Sequence, residues 1–520
     1  MTADRAAGPS RPTFHSSRRP GPSGLVALSL AALVGLGLAL PQRADALDLR
    51  QAFEAAQRYD AQLNSARLQL TTVRERLPQA QAALKPALSA SAAANAGRVD
   101  TDVSPPRSFD GLNGGISLSY PLYRPGLDAL VDQAEIGVRL AQAQLGSAEQ
   151  DLALRVAIAY FDVLSAQDAV EVADAQRRAI SEQFEAAKRN FEVGTATITD
   201  QQEAQARLDL NAAQLAAARN DLTVKQAALA QLTGLEAGKL DTLKLEVPLP
   251  GAQPNDIEVW VAGARENNFV VQQQALAAAI ARLDIDRARY ARSPVVDLVS
   301  QASLLKGKTA TTVTSPADRL TTLSAGIQVS VPLYSGGGLD ARERETVAAL
   351  EKAESDLVNA RRQSAQGTRQ AFLGLKSSAE QARALEAAVA SSRLALDSNL
   401  LGYQVGVRIN VDVLNAQQQL FSTLRDLARA RYDVLLNNLR LRSAAGVLAP
   451  NDVAAVSSLL SAPTDRTFPI LTGPNAERAG GATPGARPGT TGTAPVLPRN
   501  FGGRTTKPIP PGAPRPPAKN

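Results

Sequence analysis

FEVGTATITD, from Phe191 to Asp200, and YQVGVRINVD, from Tyr403 to Asp412, are near echoes 212 positions apart, and their reading decides the fold. Each interrupts a run without proline, from Gly126 to Val247 and from Leu333 to Ala449, that otherwise reads as helix. A glycine inside a helix costs about 1 kcal/mol relative to alanine, so Gly194 and Gly406 are read as sharp reversals between helices. Each run is then two long helices around one turn. The stretch from Gly126 to Phe191, as helix, spans about 100 Å at about 1.5 Å per residue, a rod and not a globule.

The halves agree beyond the turns. Leu208, Leu215, Leu222 and Leu229 recur every seven residues and map at the same offset onto Leu420, Leu427, Val434 and Leu441, a coiled-coil seam used twice. Thr199 followed by Gln202 has capping-box spacing, and Asn410 stands where the second pair needs a cap.

Ahead of each helical pair the sequence predicts a shorter helix, Leu47 to Leu77 and Asp256 to Tyr290, and then two stretches with a period of two. Ile116, Leu118 and Tyr120 alternate with Ser117 and Ser119. Leu323, Ala325, Ile327 and Val329 alternate with Ser324, Gly326, Gln328 and Ser330. PALSASAAANA and VVDLVSQASLL alternate more weakly, through Leu88, Ala90 and Ala92, and through Val296, Leu298 and Ala302. Four strands of about ten residues, apolar on one face and polar on the other, suit a barrel wall crossing an outer membrane. A soluble sheet is the plainer reading of alternation alone, but too little remains to cover its apolar face. Four strands cannot close, and an open edge in lipid strands its N–H and C=O groups, so the chain is expected to complete the barrel as a dimer or trimer. The strands pass into helices at Tyr-Arg-Pro-Gly, ending at Gly126, and at Tyr-Ser-Gly-Gly-Gly, which holds Gly336 and Gly337. No Lys-Ser or Lys-Thr follows the triple glycine, so a flexible corner accounts for it better than a phosphate loop. Tyr120, Tyr123 and Tyr334 are candidates for an interfacial girdle, and Trp260 for packing.

Composition limits the chemistry. The chain has no cysteine, and its one histidine, His15, precedes an apolar stretch from Leu25 to Leu40 that ends in Ala44-Asp45-Ala46. That order reads as a secretory signal peptide over 1–46, with a twin-arginine signal at Arg18-Arg19 the weaker version. The mature chain thus lacks the parts for a catalytic triad, a thiol nucleophile or an imidazole or thiolate metal site, and no enzyme activity, cofactor or metal is expected. The formal charge of +6 is carried by the leader, at +3, and by residues 463–520, also +6, leaving the body at −3. Nucleic-acid binding is not expected from such a body. The expected organisation is a signal peptide at 1–46, two repeats of one layout at 47–254 and 255–462, and a disordered Pro/Gly/Thr/Arg-rich tail at 463–520.

Taken together, the paired PLYRPG and PLYSGG corners, the paired turns, and QLTG at Gln231 matched by SAAG at Ser443 resemble the TolC family of outer-membrane exit ducts over roughly Leu47 to Leu460. The resemblance implies a mostly α chain with a small transmembrane β part. It implies a homotrimer with a twelve-stranded barrel in outer-membrane lipid, continued by a periplasmic coiled-coil barrel. An equatorial belt would come from Leu235 to Asp256 and the residues after Ala449. The partners implied are a periplasmic adaptor and an inner-membrane pump, the duct itself being passive and serving drug efflux or type I secretion. In the family the two turns close the tunnel, latched from the second turn to the first. The matching positions are Tyr403 and Arg408 on one side and Thr199 and Asp200 on the other. Of two acidic constriction rings, Asp412 fits the first, and Asn415 occupies the second, which puts cation binding there in doubt. The rival reading is a periplasmic coiled-coil adaptor, but an adaptor needs one hairpin flanked by soluble β modules, and a carboxylate-dependent envelope hydrolase is a more distant third.

Overall fold

The structure is a computed structural model that describes residues 46–102, 104–244, 248–307 and 319–461. The leader, up to residue 45, and the tail from 463 onward lie outside the described residues. Three helices, α1 (Leu49–Tyr59), α2 (Ala61–Arg74) and α3 (Arg76–Ala82), lead to strands β1 (Ala87–Thr101) and β2 (Ser104–Tyr123) and the helical pair α4 (Pro125–Glu192) and α5 (Ile198–Thr233). A short strand β3 (Thr242–Leu243) follows. The order then repeats with α6 (Ile257–Asn267), α7 (Phe269–Tyr290), β4 (Val295–Gly307), β5 (Arg319–Ser330), α8 (Gly338–Gln404) and α9 (Asn410–Ala444), and ends with α10 (Pro450–Ser457) and β6 (Leu460–Ser461).

The shorter helices expected before each strand pair are broken, the first also at Glu75, and one break in each has the same cause. Asp60 and Asn268 leave the helical region, with ψ of 119° and 126°, and each caps the helix that follows by accepting a backbone N–H, from Leu63 and from Val270. Side chains of this kind compete with the helix for backbone hydrogen bonds, so a run that is helical by its apolar period divides at the Asx residue.

All four long strands join one antiparallel sheet in the order β1-β2-β4-β5, which leaves β1 and β5 as open edges. The register sorts the residues by face. Ser89, Ser117, Gln301 and Ser324 form one row across the sheet, with Ser89 Oγ 2.7 Å from Ser117 Oγ, while Ala90, Ile116, Ala302 and Leu323 form the next row on the other face. The apolar face runs from Val296 and Val329 to Leu304, about 27 Å along the strand at roughly 3.4 Å per residue. It gives way to charge at the row that pairs Leu112 with Lys306 and Lys306 with Arg319. The strands are 15, 20, 13 and 12 residues long, beyond the ten that alternation predicts. The surplus is the polar extension past that row, with Arg98, Asp100 and Asp110, which no apolar period marks.

The largest core lies where the middle of α4 meets α1, the end of α5, α9 and α10. Phe53, Leu152, Val156, Leu164, Leu229, Leu435 and Leu439 are buried there. Phe161 stacks on Tyr432 at 5.6 Å, and the Tyr432 hydroxyl donates to Asp168 at 2.6 Å. The Tyr160 hydroxyl reaches two carbonyls, Leu47 O at 2.8 Å and Asp241 O at 2.9 Å, and burial holds it protonated by pushing its pKa far up. The belt segments meet here: β3 pairs with β6, and α10 packs on α1. Trp260 packs beside Phe372 and Leu375 and donates to Pro254 O. In the coiled-coil seam, Leu420, Leu427, Val434 and Leu441 are all buried, as are Leu215 and Leu229, whereas Leu208 and Leu222 are half-buried.

Candidate functional site

The two hairpin ends are built alike. Gly194 and Gly406 adopt left-handed φ of 78° and 80°, which only glycine reaches without strain. In the first, Thr195 N–H bonds Asn190 O and Gly194 N–H bonds Phe191 O. In the second, Val407 N–H bonds Gly402 O and Gly406 N–H bonds Tyr403 O. Both are six-to-one and five-to-two closures that satisfy the last carbonyls of a long helix.

The second helices start differently from the spacing-based expectation. The cap of α5 is Thr197, two residues before Thr199. Its Oγ1 accepts Asp200 N–H, while Asp200 Oδ2 accepts the Thr197 N–H at 3.1 Å and its hydroxyl at 2.7 Å. Asp200 is near enough to close that box, and Thr199 is left to hydrogen-bond Thr197 at 2.6 Å. Asn410 is likewise no cap. It is the first residue of α9, 1% exposed, and its Oδ1 accepts from Gln183 Nε2 of α4 at 2.6 Å while its Nδ2 donates to Asp200 O of α5 at 3.3 Å. It binds three helices because it points inward.

Within one chain the four latch candidates have other partners. Arg408 Nη1 lies 3.5 Å from Asp412 Oδ2, and the Tyr403 hydroxyl accepts a long 3.5 Å bond from Asn190. The stem of Arg408 lies over Gly402, where a Cβ would stand 2.7 Å from Arg408 Cγ. At the equivalent place in the first hairpin the larger residue is Asn190 and the smaller is Ala196. One turn along α9 from Asp412, Asn415 Oδ1 accepts from Arg207 Nη2 of α5 at 2.7 Å. Position 415 is therefore in contact with a guanidinium, which sequence spacing does not reveal. Arg207 and Gln183 are not singled out by the sequence, and for Arg207 there is one usable signal. The two turns are equivalent in the repeat, so the helices that follow them start side by side and 203–211 should face 415–423.

The strand-to-helix corners differ from one another. Gly336 and Gly337 have φ of 63° and 81°, and Gly337 caps α8. Gly126 has no such requirement: it follows Pro125 at the start of α4, and a Cβ there would meet Tyr290 at an ordinary 3.8 Å. What fixes this corner is Arg124, whose Nε and Nη2 engage both carboxylate oxygens of Asp297 on β4 at 2.8 and 2.5 Å.

Known proteins share this architecture. The family model described as outer membrane efflux protein matches residues 52–235 and 260–447, one segment for each strand pair with its hairpin. The chain is 32% identical over 411 residues to the outer membrane protein TolC of Vibrio cholerae, covering 79% of this chain and 93% of that one. It is 32% identical over 432 residues to the alkaline protease secretion protein AprF of Pseudomonas aeruginosa, covering 81% and 89%. The crystal structure of the outer membrane protein VceC of Vibrio cholerae matches with a TM-score of 0.65 at 19% identity over 76% of this chain and 96% of that one, a likeness of fold. With both hairpins, both strand pairs and the single sheet accounted for by one matching architecture, the chain belongs to the outer membrane efflux protein family.

Proposed function

We propose that three copies of this chain close a twelve-stranded barrel in the outer membrane, continued into the periplasm by their helices. The assembly is a passive exit duct. A pump of the inner membrane, joined through a periplasmic adaptor, supplies the energy and the cargo. The observation that carries this reading is the sheet itself: four strands with an apolar face about 27 Å tall and two open edges, β1 and β5. Such edges are costly in lipid, and further copies of the same sheet satisfy them. An adaptor, the rival, has no use for a single sheet assembled from both repeats.

In this reading the hairpin ends are the gate. Tyr403 and Arg408 of the second turn engage Thr199 and Asp200 of the first, and Asp412 and Asn415 line the constriction. Arg408 is 58% exposed in the single chain, where its partner is Asp412 at 3.5 Å, so its guanidinium is accessible to another copy. Relatives named for protease secretion favour a protein cargo, and relatives named as efflux proteins favour small molecules; the adjoining pump decides between them. Planar-bilayer recording of the purified protein tests the reading. Discrete, low-conductance channels without nucleotide are expected, and Tyr403→Phe with Arg408→Ser is expected to enlarge them. A correctly folded oligomer in lipid that conducts nothing in either form contradicts it.

A further inference from the structure

We propose that Arg207 is a positioning residue for the gate: it ties the two hairpins of one chain together beside the constriction, and its release lets α5 part from α9. This deepens the gate reading above and rests on it for the functional consequence alone. Arg207 stands on α5 two turns from the hairpin end. Its Nη1 donates to Gln418 Oε1 at 2.8 Å and its Nη2 to Asn415 Oδ1 at 2.7 Å, both on α9, and Glu203 one turn earlier holds the guanidinium from behind at 3.5 Å. Asn415 and Gln418 are three apart and so share a face of α9, which suits the planar fork of arginine and would not suit a lysine.

Little else holds the two helices at this level. The helices α5 and α9 meet over a short stretch only. One turn beyond Arg207 on the same face is Asn211, 1% exposed, with neither its Oδ1 nor its Nδ2 bonded to protein. It borders a cavity of about 30 Å³ that Gln176, Gln214 and Gln418 also line, room for about one water. Asn211 is covered within the single chain, so a neighbouring copy cannot reach it. Ile180, Leu210 and Leu414 line the same pocket beside these amides, and the guanidinium of Arg207 is the charged group that bridges α5 and α9 at this level. Nearer the turns, α9 is tied to α5 by the 3.3 Å bond from Asn410 to the Asp200 carbonyl, and the second hairpin is tied to α4 by Gln183 to Asn410 at 2.6 Å and by Asn190 to Tyr403 at 3.5 Å.

Amide hydrogen exchange in the full-length oligomer reads this tie whether or not the protein conducts. Arg207→Glu sets a carboxylate beside Glu203 and removes both donors. It is expected to speed exchange in 198–212 and 410–422 by roughly tenfold, the factor that corresponds to about 1.4 kcal/mol, and to leave the core around 156–164 unchanged. Arg207→Glu combined with Asn415→Lys restores an opposite pair with the charges exchanged, and is expected to return both segments to wild-type protection. In bilayers the open probability should follow the same order, high in the single variant and low in the double. Unchanged exchange in Arg207→Glu, or no recovery in the double variant, overturns the tie. Exchange that responds as stated in a protein that never conducts leaves the tie standing and refutes the duct.

Discussion

At the scale of the residue, two carboxylates show how the same group is used in different ways. Asp60 caps α2 and accepts from Arg155 at 3.0 Å. Burial alone would raise its pKa, but Arg155 and the Leu63 N–H together hold it below the usual carboxylate range. A lowered folded pKa means that the stabilisation is complete above the unfolded value of about 3.9 and is lost as pH falls through the lower folded value. Asp60→Asn should therefore lower thermal stability near neutral pH by about 1 to 3 kcal/mol, with the difference from wild type shrinking below about pH 4. A constant difference down to pH 2 would remove the charge from the explanation. At the hairpin end the relevant group is Asp412. A unit charge at about 6 Å acts with about 0.7 kcal/mol in water and nearer 3 at an effective dielectric of 20. Asp412→Ala should thus relieve block by a trivalent cation added from the periplasmic side at low salt. Asn415→Asp, which naive counting of charges makes a second ring, should tighten block only weakly, because the new carboxylate meets Arg207; with Arg207→Gln added, the tightening should be strong. Equal block in all these variants would mean that neither position faces the passage.

At the scale of the element, sequence reasoning is sharpest where a periodicity spans many residues. The lengths of α4 and α8, both reversals and the polar and apolar faces of the sheet follow from proline spacing, one glycine each and a period of two. It is weakest where one side chain chooses between neighbouring partners. Thr197 takes the cap in place of Thr199 because Asp200 closes the box, and Asn410 stands inside α9 and reaches Gln183 instead of capping, choices between neighbouring side chains that no period encodes. Strand length exceeds what alternation predicts for a related reason, since the polar extension beyond Lys306 has no apolar face to count. The gate ties were out of reach because they join positions about 210 apart, visible only once the two turns are set side by side. Close packing between elements gives its own prediction. Gly446 ends α9 with φ of 74°, and a Cβ there would lie 2.3 Å from the Asn267 carbonyl, backbone against backbone. Gly446→Ala should lower the melting temperature markedly by pushing α9 away from the start of α7, with a loss of about 2 kcal/mol or more. Gly238→Ala, with open space around it, is the control and should melt as wild type.

At the scale of the whole molecule, the described residues place exposed apolar side chains at both ends of the long helical pairs, Leu88, Leu323 and Ile327 on the strands and Val193, Leu401, Val405 and Val407 at the hairpins, the latter beside Arg408. A single copy satisfies neither. The strands leave two edges and an apolar face uncovered, and the hairpins leave Arg408 and its neighbours facing outward. In the proposed trimer one symmetric contact, repeated, would answer both needs: a heterologous interface that closes after three copies would pair every β1 edge with a β5 edge and set each second hairpin beside the first hairpin of another copy. The account therefore stands or falls on the number of chains in the folded unit. Native mass spectrometry of the mature protein released from mild detergent measures it directly. Three chain masses, with strand content that persists until the assembly dissociates, is the predicted result; a monomer that keeps its strands in a lipid bilayer contradicts the account.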